Sequence, residues 1–496
     1  MIVFASFCVF LALFVGVGVL SARDKQDTTE DYLVAGRSVS PWLTGLSAVA
    51  SNNSGYMFVG VVGFTYLKGL EAFWITFLWV LGDYFSWFWF HRRLRAQSEE
   101  VGATSAPTML GAPTPESRDR LVIALGGIAT LVLLGLYAAA QLKAGSAATA
   151  ALFGWPNWLG AGVGAAVVVV YCFSGGIRAS IWTDAAQSIV MIFSMTMLVG
   201  YAMVEVGGPG DLMTALAAIE NPDPANWSAT EIDFGTALTD WFPSGLAFGF
   251  GAYVVGFLFA GIGTIGQPHI LIRFMAIDSV DSVDKARTIY FVWYTLFSML
   301  ALAVGLYSRV LLPDLALGLF EPDLTAAAET ALPALSQHLL PSVFVGVMLA
   351  GLFAATMSTA DSQVLSCSAA ITQDIFPRFG KSYVASKVAT IGVVSVALLA
   401  ALFAESGVFS LVLVAWSGLG AIFVPILFVR LARLPLPTAL AVAMMASGIG
   451  TVVWWGSTPW SDHVFKGMPG ILVPLALYAL AWGAFLRSSE PSPSSS

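Results

Sequence analysis

Hydrophobic stretches near twenty residues recur along the chain, separated by short segments rich in charge, proline and glycine. A bilayer core about 30 Å thick needs roughly that many helical residues per crossing. The pattern therefore predicts thirteen transmembrane helices, over 2–21, 42–67, 70–91, 121–149, 155–174, 179–205, 244–270, 286–311, 342–373, 383–404, 407–431, 435–456 and 468–486. The first reads as a retained anchor: no Lys or Arg precedes it and no small-x-small cleavage pattern follows.

Composition agrees with the pattern. Hydrophobic side chains make up 57% of the 496 residues, charged ones 10%, and mean hydropathy is +0.81, whereas soluble domains carry about 25% charge. The expectation is an all-α polytopic membrane protein. Basic residues near helix ends stay cytoplasmic. With the N-terminus outside and the C-terminus inside, all 22 Lys and Arg except Lys68, Arg309 and Lys466, and Lys143 within a span, fall on the cytoplasmic side. The 206–243 segment carries no Lys or Arg, as an external loop should. The net charge of −8 resides mostly in such external loops and suggests no nucleic-acid partner. Cys8, Cys172 and Cys367 lie in apolar spans with no disulfide or metal spacing.

Two spans are interrupted. The second contains SNNSGY from Ser51 to Tyr56, and the seventh GIGTIGQP from Gly261 to Pro268. Unwound backbone at membrane depth persists only where it is buried by protein or lines a cavity; the alternative is a pair of glycine-rich packing faces. The breaks open two successive sets of five helices, and because five is odd the second set is inverted. Paired broken helices in inverted halves point to a midplane binding site in secondary transporters. The organisation expected is an anchor and first cytoplasmic loop (1–41), a first inverted repeat (42–205), an external loop (206–243), a second repeat (244–431), two peripheral helices (432–487) and a disordered tail (488–496).

Polar groups within spans cost about 2.5–3.5 kcal/mol each when charged, so each needs a reason. In the ninth span Ser358, Asp361 and Ser362 stand at i, i+3 and i+4 on one helix face, with Thr359 beside them. Hydroxyl and carboxylate oxygens without His or thiolate suit a hard cation such as sodium. Asp184 is either a helix-start carboxylate or a functional intramembrane acid. Asp83 lies deep enough to need a partner, and no motif names one. Lys143 can snorkel to the outer interface. No P-loop, HExxH or nucleophile elbow occurs, which argues against ATP-driven or hydrolytic chemistry and against an organic cofactor.

Five segments, DYLVAGRSVSPW at Asp31, LSAVASNNSGY at Leu46, SGGIRASIWTDAAQS at Ser174, GQPHILIRFMAIDS at Gly266 and MSTADSQVLSCSAAITQDIF at Met357, resemble the sodium/solute symporters, and among them the bacterial sodium/proline symporters. The resemblance implies a LeuT-like fold of thirteen helices. It implies a sodium site made by the carbonyls of Ala50, Asn53 and Ala355 and the hydroxyls of Ser358 and Thr359, with Asp184, Asp361 and Ser362 as a second sodium group alongside Ser358. Solute contacts implied are Ser54, Gly55, Tyr56, Tyr137, Gln141, Thr264, Gln267 and Pro268. The chain departs from the proline carriers at Asn52, where they have an aspartate, and at Ala260 and Thr264, where they have a tryptophan and a tyrosine.

The function expected is sodium-coupled import of a small polar solute across the cell membrane, with proline or a related amino acid as the family default and membrane lipid as the surroundings. Symport of another solute, proton coupling through Asp184 and Asp361, a transporter-like sensor and a channel are the alternatives.

Overall fold

The computed structural model describes residues 1–21, 23, 25–219, 238–315, 327–403 and 408–486. Residues 220–237 of the expected external loop and the tail (488–496) lie outside the described residues. The main helices are α1 (Ile2–Ser21), α2 (Pro41–Asn52), α3 (Ala72–Trp87), α4 (Gly135–Phe153), α5 (Asn157–Val206), α6 (Gly249–Ile262), α7 (Pro268–Ala276), α8 (Ser282–Leu311), α9 (Ser342–Ala369), α10 (Tyr383–Phe403), α11 (Val408–Leu431), α12 (Thr438–Gly456) and α13 (Gly467–Ala481).

Among the described residues, 11 helical segments are long and apolar enough to cross a membrane. Two of them are turned at a glycine of positive φ. The α5 helix runs for 50 residues, about 75 Å at 1.5 Å per residue, and it bends at Gly176, whose φ of 59° and ψ of −142° no ordinary side chain adopts readily. The sequence pattern leaves 175–178 as a loop; the structure carries the helix through and turns it at this one glycine. The 32-residue segment Tyr56–Trp87 is likewise turned at Gly69, with φ 64°.

Both sequence breaks are breaks in the structure. Ser40 caps α2 by accepting a hydrogen bond from the Leu43 N–H, and Pro41 supplies the first helical position. The helix ends at Asn53 (φ −85°, ψ 63°), and π-helical turns resume at Tyr56–Val61. Farther on, α6 tightens into a 3₁₀ turn at Gly263–Gly266, Gln267 is extended, and α7 starts at Pro268. The second helix continues past the predicted end at 270 to Ala276.

Helices in lipid gain little from apolar burial against one another and associate through close backbone approach. Gly82 and Gly261 provide such an approach between α3 and α6: a Cβ on Gly261 would lie 2.6 Å from the Asp83 nitrogen. Around the breaks, α5 and α9 form the most extensive helix pair, and α9 is buried along most of its length.

Candidate functional site

The first break is held open by α4. Tyr137 and Gln141 stand one turn apart; Ser54 Oγ shares a 3.1 Å hydrogen bond with the Tyr137 hydroxyl, and the Gly55 N–H donates to Gln141 Oε1 at 2.9 Å. The Tyr56 N–H donates in turn to Ser54 Oγ at 3.1 Å. Side chains thus replace the helical ladder that the break interrupts.

On its other side the break meets α9. Ser358 Oγ donates to the Ala50 carbonyl at 3.0 Å and the Ala355 carbonyl at 3.2 Å; Thr359 Oγ1 donates to the Ser51 carbonyl at 3.0 Å and the Ala355 carbonyl at 3.1 Å. The structure therefore gathers Ala50, Ala355, Ser358 and Thr359 as the resemblance implies and adds the Ser51 carbonyl. Asn53 enters through its N–H and Nδ2, both donating to the Val49 carbonyl. Its carbonyl makes no hydrogen bond to this group among the described residues. Asn52 turns away: its Nδ2 donates to the Tyr290 hydroxyl at 2.6 Å.

The second break faces α11. Gln267 Nε2 donates to the carbonyls of Gly263 and Trp416, each at 3.2 Å, and Trp416 Nε1 donates to the Ala260 carbonyl at 2.9 Å. Trp416 therefore stands beside Ala260, with Trp79 at 5.2 Å and Tyr137 at 6.5 Å between ring centroids, and Tyr56 lies 5.5 Å from Trp79. Aromatic rings of α3 and α11 thus pack together beside Ala260 and the first break. Tyr137 links the two breaks, because its ring also meets His269 at 5.6 Å. Asn53 Oδ1, Gln141 Nε2, Thr264 Oγ1 and Gln267 Oε1 are buried polar atoms without a hydrogen-bond partner among the described residues. Such atoms are expensive unless something satisfies them.

Asp184, Asp361 and Ser362 are brought together, but around an unforeseen guanidinium. Arg273 of α7 donates through Nη2 to Asp184 Oδ2 at 2.7 Å, to Ser180 Oγ at 3.1 Å and to Ser362 Oγ, and through Nε to Ser47 Oγ at 2.8 Å. Asp361 Oδ1 lies 4.0 Å away. A fixed positive charge already stands where the sequence suggests a second sodium. Among the described residues, no donor lies within hydrogen-bond distance of Asp184 Oδ1 or Asp361 Oδ2. Arg273, His269, Trp79 and Trp416 escape sequence reasoning; for Arg273 the available signal is its place four residues after His269, within the helix that follows the second break.

The sequence pattern of the sodium:solute symporter family matches residues 32–442. The chain is 31% identical to a sodium/proline symporter of Escherichia coli (strain K12) over 481 residues, covering 94% of this chain and 90% of that one. It is 28% identical to a high-affinity proline transporter of Bacillus subtilis (strain 168) over 466 residues, covering 92% of each. In structure it is similar to a sodium-coupled sialic acid symporter in a substrate-bound, outward-open state, with TM-score 0.79 and 19% identity over 98% of both chains. Mhp1 in its inward-facing conformation matches with TM-score 0.55 and 17% identity, over 91% of this chain and 92% of that one. These likenesses show the fold, that of the LeuT-like transporters.

Proposed function

This chain belongs to the sodium:solute symporter family, and on that premise we propose an assignment of its coupling ion, solute and membrane arrangement. It is a multi-pass membrane protein that couples solute transport to sodium. We assign the coupling sodium to the carbonyls of Ala50, Asn53 and Ala355 and the hydroxyls of Ser358 and Thr359. The observation that carries this is the pair of hydroxyls on α9 already bonded to the carbonyl ends of α2.

The solute site lies between the two breaks, at Ser54, Gly55, Tyr56, Tyr137, Gln141, Thr264, Gln267 and Pro268. The buried partnerless oxygens and the Gln141 amide give acceptors and donors suited to a zwitterion, and the aromatic wall suits its carbon skeleton. Proline or a related amino acid is the default, because the relatives from E. coli and B. subtilis transport proline. Ala260 and Thr264 favour a second reading, in which the solute is another amino acid, a betaine or a carboxylate. The two repeats, 42–205 and 244–431, rock about this site, with thirteen crossings, the N-terminus outside and the C-terminus inside.

Sodium entering from outside replaces hydroxyl-to-carbonyl bonds by ion–oxygen contacts, ties α2 to α9 and orders the half-helix end that receives the solute. One sodium crossing about 100 mV contributes about 2.3 kcal/mol, enough for roughly 40-fold accumulation. We assign a single sodium, since Arg273 supplies the charge at the second group. Two ions remain a reading that the unbonded Asp184 Oδ1 and Asp361 Oδ2 favour. Solute counterflow in proteoliposomes at fixed pH, with sodium replaced by choline, tests the coupling: undiminished uptake would overturn the sodium assignment.

A further inference from the structure

Asp83 is a fully buried carboxylate of α3 that the sodium and solute sites leave unused. No Lys, Arg or His lies within ion-pair distance of it among the described residues, so its buried carboxyl is held by hydrogen bonds. The Tyr290 hydroxyl of α8 donates to Asp83 Oδ2 at 2.6 Å, and the same hydroxyl accepts the Asn52 Nδ2–H at 2.6 Å. Ser86 Oγ adds a 3.4 Å contact to Oδ1. The carboxylate is fixed in place by the close α3–α6 approach at Gly82 and Gly261, and Trp87 packs on the Tyr290 ring at 4.9 Å.

The chain of bonds ends at a critical residue. Asn52 is the last residue of α2; the Ser51 carbonyl before it is tied to Thr359, and the backbone leaves the helix at Asn53 after it. Hydrogen bonds in a buried chain polarise one another, so donation to Asp83 makes the Tyr290 hydroxyl a better acceptor. That hydroxyl is the acceptor for Asn52. Asn52 lies between Ala50 and Asn53, the two α2 carbonyls assigned to sodium, and its side-chain bond to Tyr290 holds the helix end that presents them.

We propose that Asp83, acting through Tyr290 and Asn52, is a positioning residue that sets the sodium affinity of the first break. The inference rests on the sodium assignment above. Its geometry is reversible: an aspartate at 52 would accept from Tyr290, and an asparagine at 83 would donate to it.

Uptake into proteoliposomes, measured as sodium half-saturation at saturating solute and as solute KM at saturating sodium, tests it. Asp83→Asn and Tyr290→Phe should each raise the sodium half-saturation about tenfold, leave solute KM within about twofold and, combined, exceed neither by much. Asn52→Asp with Asp83→Asn should return the half-saturation toward that of the unaltered protein, a recovery that a merely structural role for Asp83 would not give. Unchanged half-saturation in Tyr290→Phe would overturn the proposal even where Asp83→Asn fails to fold, and so would a swapped pair no better than Asp83→Asn. Uptake by the unaltered protein that ignores sodium would overturn the sodium assignment itself.

Discussion

Arg273 donates to Asp184 at 2.7 Å, and neither side chain reaches the surface. Through Ser47, Ser180 and Ser362 the same guanidinium joins α2, α5 and α9 to α7. Removing one partner of a buried ion pair leaves an uncompensated charge and costs about 3–5 kcal/mol. Arg273→Gln should therefore lower the midpoint of thermal unfolding in detergent sharply. Asp184→Asn combined with Arg273→Gln should cost less than the two single changes added together. Strict additivity would show that the two groups do not depend on each other.

Ser358 and Thr359 each bond to carbonyls of both α2 and α9. Replacing both with alanine removes two oxygens from the assigned sodium site. A loss of about 1–2 kcal/mol corresponds to a 5- to 30-fold change in an equilibrium, so the sodium half-saturation of uptake should rise by that factor. An unchanged sodium dependence would remove these hydroxyls from the site.

Both breaks were legible because glycine, proline and amide clusters contradict their apolar surroundings, and the α9 polar face was legible because its residues are neighbours at helical spacing. The partners across helices were not. Arg273 reads in the sequence as one more cytoplasmic charge, yet it is fully buried against residues 89 positions away. Asp83 meets Tyr290 across 207 positions, and no local period encodes such a pair. The same applies to Trp416, whose place beside Ala260 restores an aromatic that the local sequence lacks.

Gly55 has ordinary helical dihedrals, φ −50° and ψ −23°, so its requirement is for space. A Cβ there would lie 2.8 Å from Thr356 Cγ2 and 3.1 Å from both Ala144 Cβ and Gln141 Oε1. Overpacking of this kind costs about 1–3 kcal/mol. It would also displace the acceptor of the Gly55 N–H. Gly55→Ala should raise solute KM about 5- to 150-fold while shifting sodium half-saturation much less. Equal shifts in both would mean that the alanine distorts the whole break.

Trp416 separates two explanations of solute choice. If Ala260 and Thr264 leave the pocket without an aromatic wall, Trp416 is only packing, and Trp416→Leu should change stability more than binding. If its indole is that wall, the opposite holds. The ring is fixed by the 2.9 Å bond from Nε1 to the Ala260 carbonyl and meets Trp79 and Tyr137, and the wall reading proposed above makes the stronger prediction. An amine cation over such a ring gains about 0.5–2 kcal/mol, so Trp416→Leu should weaken solute binding about 2- to 30-fold. Trp416→Phe keeps a ring and loses the bond to Ala260, and should fall between. Sodium-dependent thermal shifts across amino acids, betaines and carboxylates measure this directly. Loss of ligand stabilisation in Trp416→Leu, with the ligand-free midpoint unchanged, would place the indole against the solute; retained stabilisation would return it to packing.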